Sequence, residues 1–129
     1  MEAIKAEGLT KYYGKARGIV GLDLCVEQGE FFGFIGPNGA GKSTTIRTLL
    51  GLIRPSSGKA AVMGKEIGKE NQEILREVGY LPSEAVFYQG TRVRDVLRLS
   101  AGLRKMDCRE EAEGLCQRLG LDGAKKVEE

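Results

Sequence analysis

Apolar and polar residues partly alternate in two stretches near the start of the chain, "AIKAEGLTKYY" (3–13) and "IVGLDLCVEQ" (19–28), as half-buried strands require. Between them "GKARG" (14–18) predicts a turn, and "EQGE" (27–30) predicts another. The alternation then gives way to an unbroken apolar run, "FFGFI" (31–35), the pattern of a strand buried on both faces. Helical spacing begins near Lys42, where Ile46, Leu49, Leu50 and Ile53 form the expected stripe, with Gly51 and Pro55 marking the end. "KAAVMG" (59–64) predicts a short strand and "KENQEILREVG" (69–79) a short helix with Ile74, Leu75 and Val78 on one side. "VGYLP" (78–82) predicts a second buried strand, and "SEAVFYQG" (83–90) a loop. From Thr91, Val93, Val96, Leu97, Ser100 and Ala101 mark an amphipathic helix. A last helix follows, with Asp107 as its expected N-cap and Glu110 completing a capping box. Its expected apolar face is Cys108, Ala112, Leu115, Cys116 and Leu119.

Composition narrows the classes without choosing among them. At 129 residues, the chain has the length of one domain, and 41% hydrophobic with 29% charged residues is ordinary for a globular protein. The 20 basic and 18 acidic residues leave a net charge of +2, which gives no argument for nucleic acid or an anionic membrane. Cys25, Cys108 and Cys116 form no Cys-x-x-Cys pair and are expected as reduced core thiols. With no histidine, the commonest metal ligand and general base is missing.

The chemistry concentrates in "GPNGAGKS", which fits G-x-x-x-x-G-K-[ST] with Gly36, Gly41, Lys42 and Ser43 at the fixed positions. A triphosphate needs many donors packed closely, and backbone N–H groups supply them only where the chain wraps tightly. Glycines permit that path and leave no side chain in the way. The helix that follows aims unpaired N–H groups and the positive end of its dipole at the phosphates. Lys42 is expected to reach the β- and γ-phosphates, Ser43 to ligate Mg²⁺, and Thr44 to donate a further hydrogen bond. The motif follows an apolar run and opens a helix, the context it requires.

At "GPNGAGKST", followed by "LLGLIRPSSGKAAVMG", the sequence resembles the ATP-binding subunits of ABC transporters, and "VGYLPSEAVFYQGTRVRDVLRLSAGL" extends the resemblance over nearly the whole chain. The flavour, including "YLPSE", is most similar to bacterial drug-export subunits. The resemblance implies an α/β fold of the P-loop NTPase type, incomplete, with an antiparallel β subdomain and P-loop core over about 1–90 and the start of a helical subdomain over about 91–129. It implies ATP and Mg²⁺ as cofactors. Tyr13 falls where the family stacks an aromatic on adenine, with Tyr12 as its neighbour in the pair. Gly36, Asn38, Gly39, Ala40, Gly41, Lys42, Ser43 and Thr44 fall on the phosphate loop. Ser83 stands where the family usually places a glutamine that touches Mg²⁺, so Ser43 and Ser83 are the expected metal ligands, with Glu84 able to stand in.

The family's signature motif, the strand ending in Asp-Glu and the switch histidine lie further along than this chain runs. The resemblance therefore implies the first part of a longer ATPase: no catalytic residue here, and ATP binding without efficient hydrolysis. It implies a membrane-spanning partner subunit, a second ATP-binding subunit, no nucleic acid, and a cytoplasmic place at the inner face of the membrane. A non-transport ABC ATPase of translation or DNA repair, or a small P-loop kinase, is the alternative. The family's sheet order further implies that "VGYLP" is not the immediate neighbour of "FFGFI", which leaves an exposed edge at Phe31 to Ile35.

Overall fold

The computed structural model describes residues 1–36, 41–82 and 89–127. The chain divides into two compact units, Met1–Gly79 and Tyr80–Glu129.

The first unit is built on a four-stranded antiparallel sheet. Strands β1 (Glu2–Tyr13), β2 (Ala16–Glu27), β3 (Ser57–Val62) and β4 (Lys65–Glu66) lie in the order β2-β1-β3-β4. The long strand β1 is therefore flanked on both sides, with Ala6 opposite Leu24 in β2 and Ala60 in β3. The register of the β1–β2 pair shifts at several points, including between Ala6 and Leu9, and such irregularities bend and twist a hairpin. Its turn is only Gly14–Lys15, shorter than expected, because Ala16 pairs with Tyr13 and Arg17 with Tyr12. Gly14 takes a φ of 60°, which a tight turn asks of a residue without a Cβ.

Helix α1 (Lys42–Leu49) packs on β2 and β3. Its buried face is Thr45, Thr48 and Leu49, while Ile46 is exposed. The inward threonines cost little, since each hydroxyl donates back into the helix: Thr45 Oγ1 to Gly41 O at 2.8 Å and Thr48 Oγ1 to Thr44 O at 2.7 Å. Gly51, at φ 76°, ends the helix, with Leu52 N donating to Arg47 O and Gly51 N to Thr48 O. Helix α2 (Asn71–Glu77) adds the buried Ile74, while Leu75 stays exposed. Ile74, Leu49, Leu9, Ala6, Ile19, Ala60, Val62 and Ile67 form one apolar cluster.

Two expected strands are absent. Residues 31–35 and 78–82 join no ladder. Phe31 is fully exposed and Ile35 is 95% exposed, with Phe32, Phe34 and Leu81 also in solvent. Their apolar pattern calls for neighbours on both faces and both edges, and no described strand supplies them. The exposure expected at Phe31 to Ile35 is thus present, in a segment that is not a strand.

The second unit contains α3 (Val93–Leu103) and α4 (Arg109–Leu119). The N–H groups at the start of α3 are met from the chain's own end: Val93 N donates to Lys125 O and Arg94 N to Gly123 O, both at 3.0 Å. The expected capping box of α4 does not form. Cys108 is the N-cap and makes no side-chain cap; the Asp107 carboxylate accepts from Arg109, from its backbone N at 3.3 Å, Nε at 3.0 Å and Nη2 at 2.9 Å. That pairing holds the Asp107 carboxyl below the usual carboxylate range, through hydrogen bonds from the Arg109 side chain and backbone and then its charge. Neither helix has a buried residue, and Leu115 and Leu119 are exposed. The cysteines are not core thiols either: all are free, Cys25 exposed and the other two half-buried. Among the described residues, no helix is long and apolar enough to cross a membrane.

Candidate nucleotide site

The β1–β2 hairpin and the start of α1 enclose a cavity of about 220 Å³, lined by Tyr13, Arg17, Gly18, Gly41, Lys42, Ser43 and Thr44. Two glycines make this junction possible. Gly41, the N-cap of α1, has a φ of 93°, and a Cβ there would come within 2.6 Å of Gly18 O and 2.7 Å of Ile19 Cγ2. A Cβ on Gly18 would lie 2.8 Å from Lys11 O and 3.2 Å from both Thr44 Cγ2 and Tyr13 Cε2. Hairpin and helix meet backbone to backbone, so the tyrosine ring and the first turn of α1 face one space.

The donors gather on one side of that space. The first intrahelical bond of α1 runs from Thr45 N to Gly41 O at 2.9 Å, so the N–H groups of Lys42, Ser43 and Thr44 precede the helical ladder. No side chain caps this end and its first turn holds no acid. Ser43 is exposed. The Lys42 ammonium curls back across the loop and donates to the carbonyl of Gly36. At the other end, Tyr13 is half exposed, with the Lys11 ammonium 5.4 Å from its ring centroid. Lys11 Nζ also donates to Arg54 O at 2.8 Å, and Tyr12 N to Ser56 Oγ at 3.0 Å, which ties the end of β1 to the segment after α1.

Among the described lining residues, Arg17 and Lys42 carry positive charge and none is acidic. Two cations, an uncapped helix start and an aromatic ring fit a ligand with an anionic end and a flat end. A nucleoside triphosphate has both, and an exposed serine beside its phosphates suits a hard divalent cation such as Mg²⁺.

Of the residues singled out in the sequence, Tyr13, Gly41, Lys42, Ser43 and Thr44 surround the cavity, and Gly36 joins them through Lys42. Tyr12 is not among the lining residues. Asn38, Gly39, Ala40 and the expected metal ligand Ser83 lie outside the described residues, as does Glu84. Arg17 and Gly18 were missed, since "GKARG" reads as a turn. A two-residue hairpin loop is the commonest kind, and closing the turn at Gly14–Lys15 would have put both into β2.

A larger cavity, about 830 Å³, lies between α3, α4 and the turn at Asp122–Ala124. Among the described residues, no group of three or more cysteine, aspartate or glutamate side chains is placed to hold a metal.

Comparison with known proteins gives one consistent answer. The family model described as "ABC transporter" matches residues 19–129. The chain is 41% identical over 111 residues to the bacitracin transport ATP-binding protein BcrA of Bacillus licheniformis, covering 84% of this chain and 36% of that protein. It is 37% identical over 126 residues to the daunorubicin/doxorubicin resistance ATP-binding protein DrrA of Streptomyces peucetius, covering 95% and 38%. Among solved structures, an ATP binding subunit of an ABC transporter superposes with a TM-score of 0.68 at 30% identity, over 77% of this chain and 41% of that one. The chain thus spans a little over a third of the length of these curated relatives.

Proposed function

The chain belongs to the ABC transporter family, and on that premise we propose that its cavity binds MgATP as part of an ATPase subunit that drives export across a membrane. The observation that carries this reading is the meeting of Tyr13 with Gly41, Lys42, Ser43 and Thr44 around one cavity. Tyr13 stacks on the base. The backbone of Gly36, Asn38, Gly39, Ala40 and Gly41 and the first turn of α1 take the phosphates. Lys42 exchanges the Gly36 carbonyl for the β- and γ-phosphates, and the Thr44 hydroxyl adds a donor. Ser43 is the Mg²⁺ ligand on the helix, and Ser83 completes the metal's shell directly or through water.

Export is favoured by the relatives, whose names speak of bacitracin transport and of daunorubicin/doxorubicin resistance. The partners would be a membrane-spanning subunit and a second ATP-binding subunit, at the cytoplasmic face of the membrane. The organisation proposed is a β-and-loop core over about 1–90 and helices that begin a second subdomain over about 91–129. These 129 residues would hold ATP without hydrolysing it efficiently, since no acidic group among the described residues lines the cavity to polarise a water.

Titration of the intact protein with a fluorescent ATP analogue tests the reading. Lys42→Ala removes the ammonium at the loop and is expected to abolish measurable MgATP binding. Equal affinity in the two proteins would reject the assignment.

A further inference from the structure

Arg17 is a charged residue of the cavity that neither the loop motif nor the family resemblance explains. It is exposed, lines the cavity and lies opposite Tyr12 across the hairpin. Its side chain has no hydrogen-bond or ion-pair partner among the described residues. We propose that the Arg17 guanidinium binds the α-phosphate of the nucleotide, and so makes the site select for 5′-phosphorylated ligands over the bare nucleoside. The inference rests on the nucleotide-binding reading above.

Position carries the argument. Tyr13 marks the base end of the cavity and Lys42 its terminal-phosphate end. Between the Tyr13 ring and the first turn of α1 lies Gly18, where an added Cβ would sit 3.2 Å from the Tyr13 ring edge and 3.2 Å from the Thr44 methyl, and Arg17 beside it in the strand lines the same cavity. A nucleotide stretched from ring to lysine therefore passes residue 17 with its ribose and α-phosphate. Of these only the phosphate is charged. A guanidinium with no competing carboxylate among the described lining residues meets it as a fork of N–H donors, the geometry that favours arginine at phosphates. The hairpin register fixes the location, since the two-residue turn leaves Arg17 no slack along the strand.

The experiment is displacement of a fluorescent ATP analogue from the intact protein by adenosine, AMP, ADP and ATP, each carried to millimolar concentration. Arg17→Ala is expected to weaken AMP, ADP and ATP by a common factor of about ten, and to leave adenosine unchanged. Arg17→Lys, which keeps the charge but not the fork, is expected to recover part of that loss. Unchanged ATP affinity in Arg17→Ala would overturn the proposal. So would a loss confined to ADP and ATP, which would place the guanidinium at the terminal phosphates. An equal loss for adenosine would make Arg17 a support of the base pocket instead. If the wild-type protein fails to bind ATP at all, the parent reading fails, and the two failures stay distinct.

Discussion

Leu9 in β1 and Phe31 just after β2 are both large apolar side chains in the same compact unit, yet Leu9 has no exposed surface and Phe31 is fully exposed. The backbone divides the same way. β1 has a hydrogen-bonded neighbour on each side, whereas residues 31–35 make no hydrogen bond to any described residue. Hydrophobicity alone therefore does not decide burial. β1 needs only partners that lie within the first 62 residues, and they arrive by a hairpin and one return strand. The run at 31–35 is apolar at nearly every position, a pattern that demands cover on two faces, and that cover is not among its described neighbours. The hairpin built on β1 also carries part of the cavity lining: Tyr13 ends β1, and Arg17 and Gly18 lie near the start of β2. Among the described residues, Gly36, which follows the apolar run, meets the cavity through its bond from the Lys42 ammonium.

The sharpest way to break this contrast is to truncate both sides of it. Leu9→Ala should destabilise the protein by about 2–5 kcal/mol, as expected for a wholly buried leucine, whereas Phe31→Ala should change stability by less than about 0.5 kcal/mol. Urea unfolding of the 129-residue chain measures both, and a comparable cost at Phe31 would mean that residues 31–35 are packed after all. Amide exchange reads the same contrast along the backbone, slow at the centre of β1 and fast at 31–35.

The next effect in size concerns the end of β1. Base stacking on an aromatic is worth about 1–3 kcal/mol by alanine substitution. Tyr13→Ala should thus weaken ATP by roughly five- to a hundred-fold, with Tyr13→Phe nearly silent and Tyr12→Ala weaker in effect than Tyr13→Ala. A large effect from Tyr13→Phe would assign the contact to the hydroxyl instead of the ring. The smallest effect is a pH dependence of the β1–β3 pairing. Glu7 lies opposite Lys59, with the ammonium 3.0 Å away. The Lys59 hydrogen bond, followed by its charge, lowers the Glu7 carboxyl from its ordinary value. A lowered carboxylate adds stability above its unfolded pKa, near ~4, and that stability is lost as pH falls through the lower folded value. The melting temperatures of wild type and Glu7→Gln should differ slightly at pH 7 and converge in acid. A gap that widened on acidification would reverse the assigned direction.

What the sequence made legible followed from how local each signal is. The start and end of α1 and the two long strands each rest on residues close together in the chain. Gly51 ends α1 because its own backbone must turn left-handed there, a demand visible in one letter. Ile46 was misassigned because a spacing rule cannot see that Thr45 and Thr48 satisfy their hydroxyls inside the helix and so can face the core. Asp107 was misplaced for a different reason: the N-cap falls one residue later, at Cys108, and the Asp107 carboxylate takes the side chain and the backbone N–H of Arg109 together. At the cavity the motif residues were legible. Arg17 and Gly18 were not, because their place depends on where a turn closes rather than on what they are.

That turn has a consequence for chain length rather than composition. Gly14–Lys15 is already as short as a hairpin connection usually gets. Losing one of its residues would pull β2 back by one position. Ile19 would then move into the place of Gly18, where no Cβ fits against Lys11 O, and Gly18 into that of Arg17. Gaining a residue carries no such penalty, since a longer loop can bow outward and keep every later pair aligned. Length variation at this corner should accordingly be one-sided. In a library of single-residue insertions and deletions at positions 14 and 15, selected for ATP binding, insertions should survive and deletions should vanish.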